Sequence, residues 1–153
     1  MASYTFDGVK LKVAKGEMIF FGVSDGDFKM ALVTSGVFEN QSTGAMSDST
    51  VWDDVSACEI TENVNYNTVG YTGPVDLTNV GTLEEDVNGF TQLKVSAIDV
   101  SYPVSQIDAD GAVVYKNDAS KTLVEAIHFG SKISSNNGVF NVNISNNGWI
   151  RIH

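Results

Sequence analysis

Residues 22–26 read GVSDG, the G-x-S-x-G spelling that sets a nucleophilic serine on a sharp turn. Such an elbow needs a strand before the serine, a helix after it, and an acid and a histidine later in the chain. Here a strand-like run, DFKMALVTS, follows instead, so a catalytic Ser24 is not expected. Cys58 and His128 offer a second nucleophile and base, but a lone cysteine among small and apolar residues reads as packed core. Glu84, Glu85 and Asp86 are consecutive, and neighbouring carboxylates in a turn diverge instead of facing one another across a scissile bond. The acidic stretches DGD (25–27) and DADG (108–111) lack the D-x-D-x-D-G loop and distal glutamate of a calcium site. One cysteine with His128 and His153 gives no zinc-ligand spacing and no intramolecular disulfide. Neither catalytic residues, nor a cofactor, nor a dedicated metal is expected, and the chain reads as a non-enzyme.

Binding chemistry is better represented. Trp52 and Trp149 could stack on sugar rings or pack as ordinary core aromatics. Asn40-Gln-Ser and Asn143-Ile-Ser spell the glycosylation triplet, which has no meaning without secretion. The tetrapeptide SNNG occurs twice, at 135–138 and 145–148. Asn137-Gly138 and Asn147-Gly148 are strong hairpin signals, because both residue types tolerate the positive φ of a type I′ turn. Between them Phe140, Val142 and Ile144 alternate with Val139, Asn141 and Asn143, which predicts a closing meander with the aliphatic and aromatic set inward and the asparagines outward.

These residues require a scaffold of short strands. Gly, Ser, Thr, Val, Asn and Asp crowd the sequence, while Leu, Arg, Gln and Glu are sparse. DFKMALVTS alternates as a strand, residues 35–50 form a long polar loop, and VSACEI, part of NVNYNTVGYTG, VDLTNV, FTQLKVSAIDVSYPV, GAVVYKN and KTLVEAIHFG are further strand runs. GTLEEDVNG and DADG read as turns between them. About eight to ten strands at spacings of roughly 8–12 residues predict an all-β, antiparallel β-sandwich, jelly-roll-like or meander. Residues 26–153 form the single sandwich domain, and residues 1–25 form an N-terminal arm holding a strand or a short helix.

The chain has 153 residues, and a domain of that size buries about two-thirds of its unfolded surface without staples. Hydrophobic content of 42% with 18% charged residues is that of a globular protein, not a disordered one. The formal net charge of −10 excludes nucleic acid, which needs clustered Lys or Arg to displace phosphate counterions. From Val33 to Leu93 there is no Lys or Arg, whereas Lys10, Lys12 and Lys15 crowd the N-terminal segment. MIFFGV (18–23) is too short to span a bilayer and lies behind those lysines, so no membrane partner and a soluble, unprocessed chain are expected.

Several landmarks in order carry a resemblance: Ala31 to Ser35, Trp52 to Val55 with Glu59, Gly70 to Thr72, Ala112 to Asp118, Ile127 to Gly130, and Asn137 to Ile150. The chain resembles the small virion proteins of tailed bacteriophages, whose members read "ALLTSS", Trp-x-Asp-Val leading to a Glu, Gly-Tyr-Thr, "AVIYKDTG", "IDFG" and a closing "TNGDFTIQW". The likeness spans roughly residues 26–152, with His128 standing where the family's acid is common. It implies a capsid decoration or cement protein on the outside of the virion, a homotrimer or similar cluster whose partners are the major capsid protein and itself. Lys10, Lys12 and Lys15 are then the expected capsid contact, a basic segment that orders against an acidic surface. The alternative is a fibre module binding host polysaccharide, with Trp52 or Tyr71 at an exposed sugar site and Asn141 and Asn143 on the outward row.

Overall fold

The computed structural model describes residues 2–6, 8–20, 22–38, 51–87, 89–144 and 150–152. The chain is all-β and antiparallel with very little helix. In order it forms β1 (Ala2–Thr5), a short α1 (Val9–Ala14), β2 (Phe28–Val33), β3 (Thr68–Val69), β4 (Val75–Asp76), β5 (Gly81–Val87), β6 (Phe90–Ser96), β7 (Val100–Lys116), β8 (Leu123–Ser134), β9 (Gly138–Val142) and β10 (Ile150–Ile152). Single 3₁₀ turns occupy Ser35–Phe38, Trp52–Asp54 and Ser56–Cys58.

The 17-residue β7 is the spine. Its C-terminal half lies between β8 and β2 in the order β1-β8-β7-β2-β4, and its N-terminal half carries β9 and β3, making one seven-stranded sheet. A separate three-stranded sheet runs β10-β6-β5. Irregular segments cover the main sheet. Phe28 and Lys29 point to opposite faces. On the Phe28 face Phe20 stacks at 5.2 Å. Tyr115 pairs with Lys29 and so shares the other face, where Trp52 stacks on it at 5.1 Å and Phe38 stacks on His128 at 4.4 Å. Residues 107–115 of β7 are consequently buried on both sides.

Several expected turns and strands differ. DADG is not a turn: β7 runs straight through it, because Asp108 and Asp110 accept hydrogen bonds from flanking loops and Gly111 makes room for Phe38. GTLEEDV is strand β5. The turn after it is a hairpin, since Val87 pairs with Phe90 and leaves just Asn88 and Gly89 between the strands, Gly89 at φ +80°. VSACEI is not a strand but 3₁₀ turns, touching β2 through a single bridge from Val33 to Glu59. The first SNNG is not a hairpin either. Pairs 109↔133 on β8 and 105↔138 and 102↔140 on β9 follow one antiparallel register with a slip of a residue, so the chain continues along the same side of β7. Asn137, at φ +51°, supplies the left-handed step of that kink. The expected meander is also corrected, since β9 pairs with β7 and β10 with β6. The second SNNG turn, 145–148, lies outside the described residues.

The N-terminal segment is not a separate arm. β1 pairs with β8 in the register Ala2↔His128 to Thr5↔Glu125. Phe6, Val9, Met18 and Phe20 are each no more than 2% exposed and belong to the common core. The apolar spacing of Val9 and Val13 therefore reports a helical turn, and the lysines between them fall on α1. No helix among the described residues is long and apolar enough to cross a membrane.

Candidate functional site

The densest polar arrangement among the described residues is built on DADG. Asp108 and Asp110 are two residues apart on β7 and so share one side of it. Asp108 Oδ2 accepts from the Asn67 backbone N–H at 2.8 Å and from Asn67 Nδ2 at 2.7 Å, while the Ser134 hydroxyl donates to Oδ1. Asp110 Oδ2 accepts from the Ser35 N–H at 3.1 Å and from the Tyr66 hydroxyl. Lys132 Nζ lies 4.3 Å above the Tyr66 ring and donates to the Asn65 carbonyl at 2.9 Å.

The bonds of this cluster suit an anchor between loop and sheet. The Ser134 hydroxyl, then the Asn67 donors and the Lys132 charge, hold the Asp108 carboxyl below the usual carboxylate range against the opposing effect of burial. Burial, followed by the bond to Asp110, pushes the Tyr66 phenol up, so it stays a donor. The cluster fixes the 61–67 loop and the Ser35 turn onto the sheet. In the sequence, acids at i and i+2 between Ile107 and Ala112 were the available signal, masked by the turn-like spelling.

The candidate residues are scattered. Ser24 sits in a turn closed by its N–H donating to Asp27 Oδ2 at 2.7 Å. Asp25 Oδ1 accepts from Asn79 N–H at 3.0 Å, so the DGD acids cap backbone. His128 stacks on Phe38, while Cys58 lies in a 3₁₀ turn beside Gly36. Lys10 and Lys12 are on α1 and Lys15 is its C-cap. Asn141 and Asn143 are exposed, with Phe140, Val142 and Ile144 buried between and beside them, as expected. Trp149 and Asn40 lie outside the described residues.

Trp52 and Tyr71, expected on the surface, are corrected to core. Trp52 is 5% exposed and stacks on Tyr115, and its backbone N–H bonds the Lys121 carbonyl at 2.9 Å. Tyr71 is 8% exposed, and its hydroxyl donates to Glu59 Oε1 at 2.7 Å and accepts from Leu32 N–H at 3.2 Å. Burial first, and then Glu59, push this phenol far above its ordinary value. Trp52→Ala should cost about 3–5 kcal/mol in urea unfolding, as for other buried large-to-small changes, and is therefore no probe of a surface contact.

The open end of the main sheet is different. Val69 on β3, Val104 on β7 and Val139 on β9 are 56%, 75% and 57% exposed on three neighbouring strands. A bulge between Tyr102 and Ser105 expels Val104. Beside it a groove of about 470 Å³ runs between Thr72, Val75 and Thr78 on one side and Ile98, Asp99 and the β7 edge from Val100 to Val104 on the other. Sequence reasoning missed this surface, because hydrophobic valines in strands read as core. Compared with protein-family models, curated proteins and solved structures, the chain gives no match.

Proposed function

We infer that the chain is a non-catalytic virion protein of a tailed bacteriophage that decorates or cements the capsid exterior as a homotrimer or similar cluster. The observation that carries this reading is the exposure of Val69, Val104 and Val139 on three neighbouring strands at the open end of the sheet. Clustered exposed valines on paired strands mark a protein-contact surface. Four landmark segments of the resemblance lie on strands of the main sheet: ALV on β2, AVVYK on β7, IHFG on β8 and GVFNV on β9. A cement protein bridges neighbouring capsid subunits and gains strength from copy number, which needs complementary surface and no active site. The capsid contact we propose is the open end of the sheet; Lys10, Lys12 and Lys15 follow β1, whose Thr5 pairs with Glu125 toward the other end of β7, and form a separate basic segment. The polysaccharide reading rested on exposed aromatics, and Trp52 and Tyr71 are buried.

The test uses virions of the phage that encodes the chain. Heads should contain the protein in capsid-stoichiometric amounts, and heads stripped of it should release DNA at lower temperature. Val104→Lys with Val139→Lys should reduce rebinding to stripped heads more than tenfold, while urea stability shifts by about 0.5 kcal/mol or less, as for exposed sites. Absence of the protein from heads, or unchanged rebinding of the double variant, overturns the assignment.

A further inference from the structure

The pairing along one side of β7 is incomplete. On that side β2 covers residues 111–116 and β3 covers Gln106 and Ile107. β9 lies on the opposite side, where Ser135 N–H donates to the Ile107 carbonyl at 2.9 Å, while Asp108 N–H turns toward β3 and donates to Asn67 at 2.9 Å. Among the described residues no strand pairs with residues 100–104 on the β3 side. The ladder stops where the chain leaves β7. At Gly70, φ +96°, the chain turns away, passing so close that a β-carbon would lie 2.9 Å from Ser105 Cβ and 3.1 Å from the Val104 carbonyl oxygen. Five extended residues of backbone, about 16 Å, are left facing the groove.

The groove has a defined chemistry. Its far wall is Thr72, Val75, Asp76 and Thr78, its near wall the β7 edge with Ile98 and Asp99, and no Lys, Arg or His lines it. Lys29 reaches Asp76 Oδ1 from outside at 2.6 Å, and Asp99 Oδ1 accepts from Ile144 N–H at 2.5 Å. Tyr102, also lining the groove, is 6% exposed and its hydroxyl has no hydrogen-bond partner. Thr72 to Thr78 belong to the stretch from Val33 to Leu93 that carries ten acids and no Lys or Arg. No aromatic face is open to stack on a sugar; the rim is aliphatic, with Ile98 49% and Val104 75% exposed.

We propose that this groove takes an extended peptide segment of a partner protein, alternating small apolar and cationic residues, which adds to the free β7 edge as a strand. Main-chain hydrogen bonds supply the binding and the acidic walls select its charge. The proposal deepens the assembly reading and rests on it for the identity of the partner: the segment is an arm of a neighbouring virion subunit. Pro103 shortens the usable edge, since it offers no N–H, and thereby limits unselective pairing.

The probes are two synthetic peptides, acetyl-(Thr-Val-Lys-Val)₃-amide and its Glu-for-Lys counterpart, titrated into the full chain by amide NMR. The Lys peptide should bind at submillimolar concentration, shift amides of residues 98–104, and weaken with added salt; the Glu peptide should bind at least tenfold more weakly. Thr72→Arg, on an exposed wall position, should reduce Lys-peptide binding more than tenfold with the fold retained. No shifts with the Lys peptide at millimolar concentration, shifts centred elsewhere, or equal binding of both peptides overturns the proposal. A chain that binds the peptide yet is absent from virions keeps the groove and loses the assembly reading, and a chain on virions that ignores the peptide does the reverse.

Discussion

Gly111→Ala is expected to destabilise the protein by about 3 kcal/mol or more, the upper range for overpacking a close-packed core. The cause is local. A β-carbon at Gly111 would collide with the Ile127 carbonyl oxygen on β8 and lie 2.5 Å from Phe38 Cζ. Ile127 is held by the β7–β8 ladder, so its carbonyl cannot withdraw without breaking pairs on both sides. Phe38 cannot swing away freely either, because its ring stacks on His128. Urea unfolding checks the magnitude. Phe38→Ala added to Gly111→Ala should restore little, since the backbone clash remains, and substantial rescue would assign the strain to the ring instead.

Asp108→Ala should cost about 3 kcal/mol, the range for removing a charged acceptor from buried donors. Three donors lose their acceptor at once: the Asn67 backbone, the Asn67 side chain and the Ser134 hydroxyl. The pH dependence distinguishes this from simple loss of packing. The folded-state carboxyl titrates below its unfolded value, so its stabilisation is complete above about pH 4, the ordinary value for Asp, and disappears as the pH falls through the lower folded value. Unfolding free energy of the wild type should therefore fall on acidification from about pH 4 downward, and Asp108→Asn should flatten the part of that slope due to this group. An equal slope in both proteins would move the acid sensitivity to other carboxylates. Protease nicking in the 61–67 loop should rise in Asp108→Ala, because two of the bonds that tie that loop to β7, from the Asn67 backbone and side chain, are lost.

The all-β class was legible from composition, and β2 and β8 from their apolar, β-branched runs, although both faces of β2 and of the start of β8 are buried; simple alternation with one face buried holds for the inward row Phe140, Val142 and Ile144. The spine was not legible. Residues 100–116 were split by DADG, spelled as a turn, and tertiary partners override that spelling, since loop donors satisfy the two aspartates; Pro103, taken into a strand run, lies at a bulge. The NG signal misleads at Asn137-Gly138, where the strand carries on along the same neighbour, while GTLEEDVNG, read as a turn, is mostly strand β5 with its turn after Val87. A local signal specifies a backbone conformation and leaves open what the chain does on either side of it. The exposed valines and the buried Trp52 and Tyr71 were illegible for a related reason, since residue type alone does not say which strand ends a sheet.

Pairing of Ala2 with His128 sets an order of events during synthesis. β1 has no strand partner until residues 125–128 have emerged from the ribosome, and β7, the shared neighbour of four strands, does not exist before residue 100. Apart from the local β5–β6 hairpin, nearly two-thirds of the chain waits for its partners on β7 and β8, and contacts so distant in sequence place such folds in the slow, millisecond-to-second class. Over that interval the acids between Val33 and Leu93 repel other copies and keep the unpaired strands of neighbouring nascent chains apart. The acidity thus acts before there is any fold to decorate.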